Sequence, residues 1–339
     1  MLRTVTACVI ALALLAAGCG GATTRDGAPP STTASSTTAT TAGAPSPETS
    51  DATTTTTTRV SADAFPVTIE TTSGPVRIPE RPRRIVSLSP TSTEVLFAIG
   101  AGDAVVAVDS LSDYPAEAPV TDLSAFQPNV EAIASFTPDL VVVSFDPGDL
   151  ASGLEALGIP TILHPAASDL DDAYAQIEQL GAATGHLAEA AALVARMRSE
   201  IDDIVASLPA MPAPPTYYHE LDPTFYSVTS GTFVGELYDL LGLRNIADAA
   251  DASGSGYPQL SAEYVIDQDP DLIFLADTRC CGQSAASVAE RPGWDELTAV
   301  RTGRVVELDD SVASRWGPRI VDFLRTVADA VTALEKVGS

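Results

Sequence analysis

Aromatic residues make up only 6% of this 339-residue chain, histidine occurs three times, and 18 basic residues stand against 45 acidic ones. The resulting formal charge of −27 argues against nucleic acid and anionic lipid as partners, since both would be repelled. It also disfavours a bare anionic ligand unless cations are gathered at one place. Signatures of catalysis are missing as well. His164, His186 and His219 form no spaced Ser-His-Asp set, and neither a G-x-S-x-G elbow nor a phosphate loop occurs. Gly100-Ala-Gly102 stops short of a dinucleotide fingerprint. No enzyme activity, bound metal or cofactor is expected. His164 and His219 each end an apolar run, so they are either cleft-facing ligands for iron or haem, or ordinary surface and supporting histidines.

The amino terminus has its own logic. Met1-Leu-Arg3 is a short basic start, Thr4 to Ala17 is mostly apolar, and Leu15-Ala-Ala-Gly18-Cys19 closes the run with small residues. Residues 1–18 therefore read as a secretory signal peptide, too short for a membrane span. A cysteine at the cleavage point resembles a bacterial lipobox, which would make Cys19 the lipidated first residue of an exported protein on the outer face of the cytoplasmic membrane. Residues 19–60 are almost all Thr, Ser, Ala, Gly and Pro. They have too little apolar surface to offset the entropy of ordering, and are expected to form a disordered tether.

The remainder is organised around His186 to Leu208. Leu187, Ala190, Val194, Met197, Ile201, Ile204 and Leu208 recur at steps of three and four, on one stripe of a helix. Gly185 and Pro209 mark its ends. Either side of it the chain repeats itself. Glu94-VLFAI-Gly100 matches Glu236-LYDLL-Gly242. Glu131 opens an E-x6-P-D-L element ending at Leu140, and Glu263 opens another ending at Leu272, each followed by an apolar run. Two similar lobes of alternating strands and helices follow, at 61–168 and 210–339, with a linking region at 169–209 that holds the long helix. Such alternation predicts mostly parallel, Rossmann-like α/β sheets. Ligands of open parallel sheets sit beyond the carboxyl ends of the strands. The loops at Ser89, Tyr114, Phe126 and His164 should therefore share one edge.

Scarce as they are, several aromatics lie in these polar edge loops: Tyr114, Phe126, Tyr226, Tyr257 and Trp316. Arg315 and Arg319 flank Trp316-Gly-Pro318 ahead of a closing helix expected from Pro318. Together they suggest a cleft with flat apolar walls and one cationic corner. Cys280-Cys281 is unusual in an exported chain. A strained vicinal disulfide is the leading reading, ahead of free thiols or an intermolecular bridge.

From about residue 84 to the end (84–339), the motifs RIVSLSPTSTEVLFAIG, SDYP, the two E-x6-P-D-L elements, GYPQLSAE and RWGPRI resemble the substrate-binding proteins of ABC importers for cobalamin and ferric siderophores. SDYP with GYPQLS leans toward the cobalamin branch. The resemblance implies two lobes bridged by one rigid backbone helix, the class III periplasmic-binding-protein fold, with a small-molecule ligand between them. The expected ligand is a corrinoid, with ferric siderophore or haem as the alternatives, and a secreted hydrolase as the remote one. Tyr114, Phe126 and Tyr257 would contact the ring, and Arg315 would make a polar contact. Phe126 and Tyr257 stand where the cobalamin pattern carries tryptophan. Glu131 and Glu263 match the acidic residues, one per lobe, that dock into arginine pockets on the permease dimer. The implied receptor is a monomer that hands its ligand to that permease and its ATPase.

Overall fold

The computed structural model describes residues 65–335. The signal peptide, Cys19 and the whole tether lie outside the described residues. The chain opens with an antiparallel hairpin, β1 (Val67–Thr71) and β2 (Gly74–Ile78). The first lobe then runs β3 (Ile85–Leu88), α1 (Pro90–Ala98), β4 (Val105–Val108), α2 (Val130–Ser135), β5 (Leu140–Val143), α3 (Leu150–Glu155) and β6 (Thr161–Leu163). Two helices link the lobes, α4 (Leu170–Thr184) and α5 (Leu187–Ser207). The second lobe follows as β7 (Thr216–Glu220), α6 (Phe233–Leu240), β8 (Arg244–Asn245), α7 (Ala262–Gln268) and β9 (Leu272–Leu275). It continues with α8 (Thr278–Cys281), α9 (Ala285–Ala289), α10 (Thr298–Arg301), β10 (Val305–Glu307), α11 (Asp310–Ala313) and α12 (Ile320–Glu335).

The two sheets have the same topology. Strand order is β4-β3-β5-β6 in one and β8-β7-β9-β10 in the other, all parallel. The repeat in the sequence has a structural cause. Asp139 accepts from the backbone N–H groups of Arg83 and Arg84 at 2.9 Å, just ahead of β3. Asp271 does the same for Thr216 at 2.8 Å, where β7 begins. Thr137 and Asp269, each just before the proline, both adopt positive φ (48° and 40°). A following proline disfavours the right-handed helical region, so each helix must stop there. The proline, the aspartate and the left-handed residue together turn a short helix into a registered strand.

β3, β5 and β9 are buried along their whole length, as four-residue strands covered on both faces must be. The main core runs continuously from the first sheet (Ile85, Leu140, Val142) through α4 and α5 to the second sheet (Tyr217, Phe274) and α12. α5 buries Ala190, Leu193, Val194, Met197, Ile201 and Ile204, the expected stripe with Leu193 added and its two ends only partly covered. One side of it packs on α4 and the other on α12. The linking region is thus a helical hairpin, in which Gly185 (φ 74°) ends α4 before α5 begins. The closing helix starts at Ile320, with Pro318 in the turn before it. Phe225 to Val228 makes only an isolated bridge, Tyr226 to Gln259.

Candidate functional site

Several of the helices that follow strands are started by a side-chain cap, and this places their loops. Ser89 accepts from the N–H of Ser92 to begin α1, with Pro90 as its first residue. Asn129 caps α2, Thr232 caps α6 and Ser261 caps α7. The carboxyl ends of β3, β4 and β5 consequently meet at one edge. There a cleft of about 420 Å³ opens, lined by Ser89, Asp109, Leu111, Phe126, Ser144 and Phe145 on one side. From the second lobe it is lined by Asp310, Ser311, Ser314, Arg315 and Trp316.

Three of the expected ligand residues, Phe126, Arg315 and Trp316, therefore meet in this cleft. Phe126 is 64% exposed and pairs with Phe145, ring centroids 5.3 Å apart. The Trp316 indole N–H donates to Gln176 of α4 at 2.8 Å, which fixes the plane of its ring. Tyr114 lines an adjoining recess of about 440 Å³ with Glu94, Phe97, Glu117 and Arg319. Its ring lies 4.2 Å from the Arg319 guanidinium. Tyr226 and Tyr257 are exposed on the second lobe and do not line either cavity. They sit on paired segments, since Ser227 N–H donates to Pro258 O and Thr229 N–H to Gly256 O. Tyr257 lies in the loop ahead of α7 much as Phe126 lies in the loop ahead of α2.

The free cationic corner is not what the structure contains. Arg315 donates to Glu94 (2.8 Å), to Asp113 (2.9 Å) and to the carbonyl of Leu111 (2.9 Å). Arg319 donates through Nε to Glu94 at 3.0 Å. The Glu94 side chain is only 1% exposed, and a buried carboxylate requires such partners. The knot spans the lobes, because Glu94 lies on α1 while both arginines precede or open α12. Arg279 on α8 adds a third crossing to Asp113 at 3.2 Å. Burial works against the charge of Asp113, but the hydrogen bond and charge of Arg315, with Arg279 behind them, outweigh it and hold the carboxyl low. Asp310 is also held low, because backbone donation from Arg279 and Cys280 overcomes its burial. At the cleft floor, burial raises Asp109.

Neither strand-end histidine reaches the cleft. His164 is buried and bonded through Nε2 to Gln179 (2.8 Å), and burial drives its pKa down to about 4 against that bond. His219 is fully buried inside β7 with Nδ1 on the Tyr238 hydroxyl (2.8 Å), and burial takes it to about 3. Both are neutral side chains of the protein interior, not ligands for iron. The vicinal disulfide is also absent: Cys280 and Cys281 are free and exposed on α8. Successive helical side chains diverge by about 100°, and adjacent Cα atoms are about 3.8 Å apart, closer than disulfides usually span. Burial, then Cys281 and Asp310, push the Cys280 thiol up, away from the reactive thiolate.

Leu111, Phe145 and Asp310 line the cleft without having been singled out from sequence. Phe145 lies one residue beyond the apolar run of β5, separated from Val143 by Ser144, so it reads as core until the strand is seen to stop at Val143. Glu94 was visible as one member of the E-x5-G pair, with nothing to indicate its two arginines 221 and 225 positions away.

Glu131 and Glu263 occupy equivalent places, each the second residue of its helix (α2 and α7) and exposed. Among the described residues neither takes part in an ion pair, and no helix is long and apolar enough to cross a membrane.

Residues 85–312 match the family described as periplasmic binding protein. The ABC transporter substrate-binding lipoprotein YvrC of Bacillus subtilis is 32% identical over 279 residues, covering 79% of this chain and 86% of that one. A cobalamin-binding protein of Halobacterium salinarum is also 32% identical over 279 residues, covering 79% and 75%. Among solved structures, the vitamin B12 binding protein BtuF of Vibrio cholerae superposes with a TM-score of 0.63 at 27% identity, covering 75% of this chain and 98% of that one. The heme-binding protein RhuT of Roseiflexus sp. RS-1 does so with 0.65 at 26%, covering 74% and 98%. Both sheets, the bridging helix and most of the cleft fall within the family match, and the chain belongs to the periplasmic binding protein family, with its helix-bridged, two-lobed class III architecture.

Proposed function

We propose that this protein is the extracytoplasmic receptor of an ABC importer, tethered through a lipid on Cys19, and that it captures a corrinoid between its lobes for delivery to the permease. The observation that carries the choice of ligand is the make-up of the cleft. Phe126, Phe145 and Trp316 offer flat apolar faces to a macrocycle. Among the described residues that line it, none is a histidine, cysteine, methionine or tyrosine, the side chains that hold haem iron. Asp109, Asp113 and Asp310 face the space, and its one arginine is already paired. A haem with free propionates, or a trianionic ferric catecholate, would meet a repulsive field. A corrinoid, whose periphery is amides and whose cobalt can carry its own nucleotide base, would not. The cobalamin-binding relative supports the same reading.

Calorimetry of the purified protein with cyanocobalamin, cobinamide, haem and a ferric hydroxamate tests it. Saturable one-to-one binding of a corrinoid is expected. Phe126→Ala should weaken that binding by ~1–3 kcal/mol, the usual worth of one stacked aromatic wall. Binding of haem or the hydroxamate with no corrinoid affinity would overturn the assignment.

A further inference from the structure

The second lobe holds an ionisable cluster that the cleft residues do not use. Glu220 ends β7 and Asp277 follows β9 by two residues, and both are fully buried. These are the strand ends that in the first lobe deliver Ser89 and Ser144 to the cleft. Arg291 grips Glu220 with two hydrogen bonds of 2.6 Å and reaches Gln283 at 2.7 Å. Both carboxyl oxygens of Asp277 lack any hydrogen-bond partner among the described residues. A buried carboxylate with no donor is untenable, whereas a buried carboxylic acid supplies its own. Glu220 is the available acceptor, because it already has its arginine and is the better anion. Two carboxyls beside one guanidinium require one proton between them.

We propose that Asp277 and Glu220 share a proton, and that this proton holds in place the Tyr226 loop and α8, whose Arg279 braces the cleft residue Asp113. The proposal rests on the reading of the cleft as a ligand site. Two loops spring from the pair. The residue after Glu220, Leu221, donates its N–H to the carbonyl of Tyr226 at 2.9 Å. Phe225, at φ 68°, stacks on Trp294, over which the Arg291 guanidinium lies at 4.6 Å. On the other side, the Asp277 carbonyl accepts from Cys281 and Gln283 and so anchors α8, whose Arg279 crosses to Asp113 of the first lobe. Tyr218 is the remaining titratable group beside the pair, its phenol pushed well up by burial and then by Glu220. Asp310 and Glu307 face the neighbouring backbone at Arg279, Cys280 and Ala285. His219, the residue between Tyr218 and Glu220 in β7, is bonded to Tyr238.

Burial, followed by the charge and hydrogen bonding of Glu220, raises Asp277 from 3.8 to about 8. The folded value lies above the unfolded one. The pair's contribution to stability is therefore complete below about pH 4, is lost as pH rises toward about 8, and is level beyond. Within the folded protein the proton leaves Asp277 for water near pH 8. Two carboxylates then confront one arginine, and the loops must open to admit water.

Carbon-13 NMR of the mature protein labelled at aspartate carboxyls tests the proton. One resonance should titrate near pH 8 and be missing in Asp277→Asn. Amide exchange at Leu221, corrected for intrinsic base catalysis, should lose protection through the same range in the wild type. It should stay protected in Asp277→Asn, whose amide donates to Glu220 without titrating. Cyanocobalamin affinity should fall about tenfold between pH 7 and 9 in the wild type, as the competent fraction falls, and stay flat in the variant. No aspartate titrating above pH 6, or unchanged Leu221 protection across pH 8, would overturn the proposal. Should Asp277→Asn fail to fold, those two wild-type titrations decide alone. Absence of cyanocobalamin binding at every pH would sink the corrinoid reading and leave the proton test standing.

Discussion

Glu94 shows how a single side chain can set the geometry of a two-lobed receptor. Its carboxylate is nearly solvent-free and accepts from guanidinium groups that belong to the other lobe. Isolated surface pairs contribute little, but removing one partner from a buried set leaves uncompensated charge and costs ~3–5 kcal/mol. Glu94→Ala would leave Arg315 and Arg319 facing each other with only Asp113 to share. It should lower the free energy of unfolding by ~3–5 kcal/mol, read from the denaturant midpoint. Arg315→Met should cost less, because Arg319 still satisfies Glu94. A change below ~1 kcal/mol for Glu94→Ala would mean that solvent already screens the knot. This pairing also explains why no cationic corner is present at the cleft: both arginines of the RWGPRI motif compensate a buried glutamate and leave no free charge for the ligand.

Among the elements, α4 and α5 carry the connection between lobes, and their contact is unusually close. A Cβ placed on Gly181 of α4 would fall 2.4 Å from the Cβ of Ala190 on α5. No rotamer change relieves such an overlap, because both atoms are fixed to their backbones. Gly181→Ala should therefore push the helices apart and destabilise the protein by ~1–3 kcal/mol, despite alanine's better helix propensity. Calorimetric melting of the variant checks the sign; a higher midpoint would show that the hairpin yields freely. Most of the fold was legible because the E-x6-P-D-L elements, the glycine helix ends and the 187–208 stripe are each spelled out by residues close together in sequence. α4 was left within a linking region because its buried face, Ala173, Tyr174, Ile177 and Leu180, is interleaved with charges and directly abuts the stronger stripe of α5. The short helices α8 to α11 carry little periodicity of their own. The site was legible in part. Loop aromatics at strand ends led to Phe126 and Trp316, while pairings across 200 residues, such as Arg315 with Glu94, leave no local mark.

For the molecule as a whole, the proposed function demands a way to engage a permease with both lobes at once. We propose Glu131 and Glu263 as those contacts; other side chains already cap their helices. Asn129 already accepts from Ala132 N–H at 2.8 Å, and Ser261 from Tyr264 N–H at 3.1 Å. The glutamates are the second residues of those helices. Their favourable interaction with the helix dipole is worth ~0.3–1 kcal/mol each, too little to require glutamate at the same offset in both halves. Two equivalent exposed carboxylates, one on each half of a duplicated body, match a partner built from two like subunits. Charge complementarity at such a contact governs register and association rate. Glu131→Arg and Glu263→Arg should each leave corrinoid affinity within about twofold, because neither residue lines the cleft, an effect under ~0.5 kcal/mol. Uptake by cells should fall with either reversal, and further with both. The decisive measurement pairs calorimetry of the double variant with radiolabelled corrinoid uptake. Full uptake by a folded, tethered double variant would return both glutamates to the role of helix-end charges.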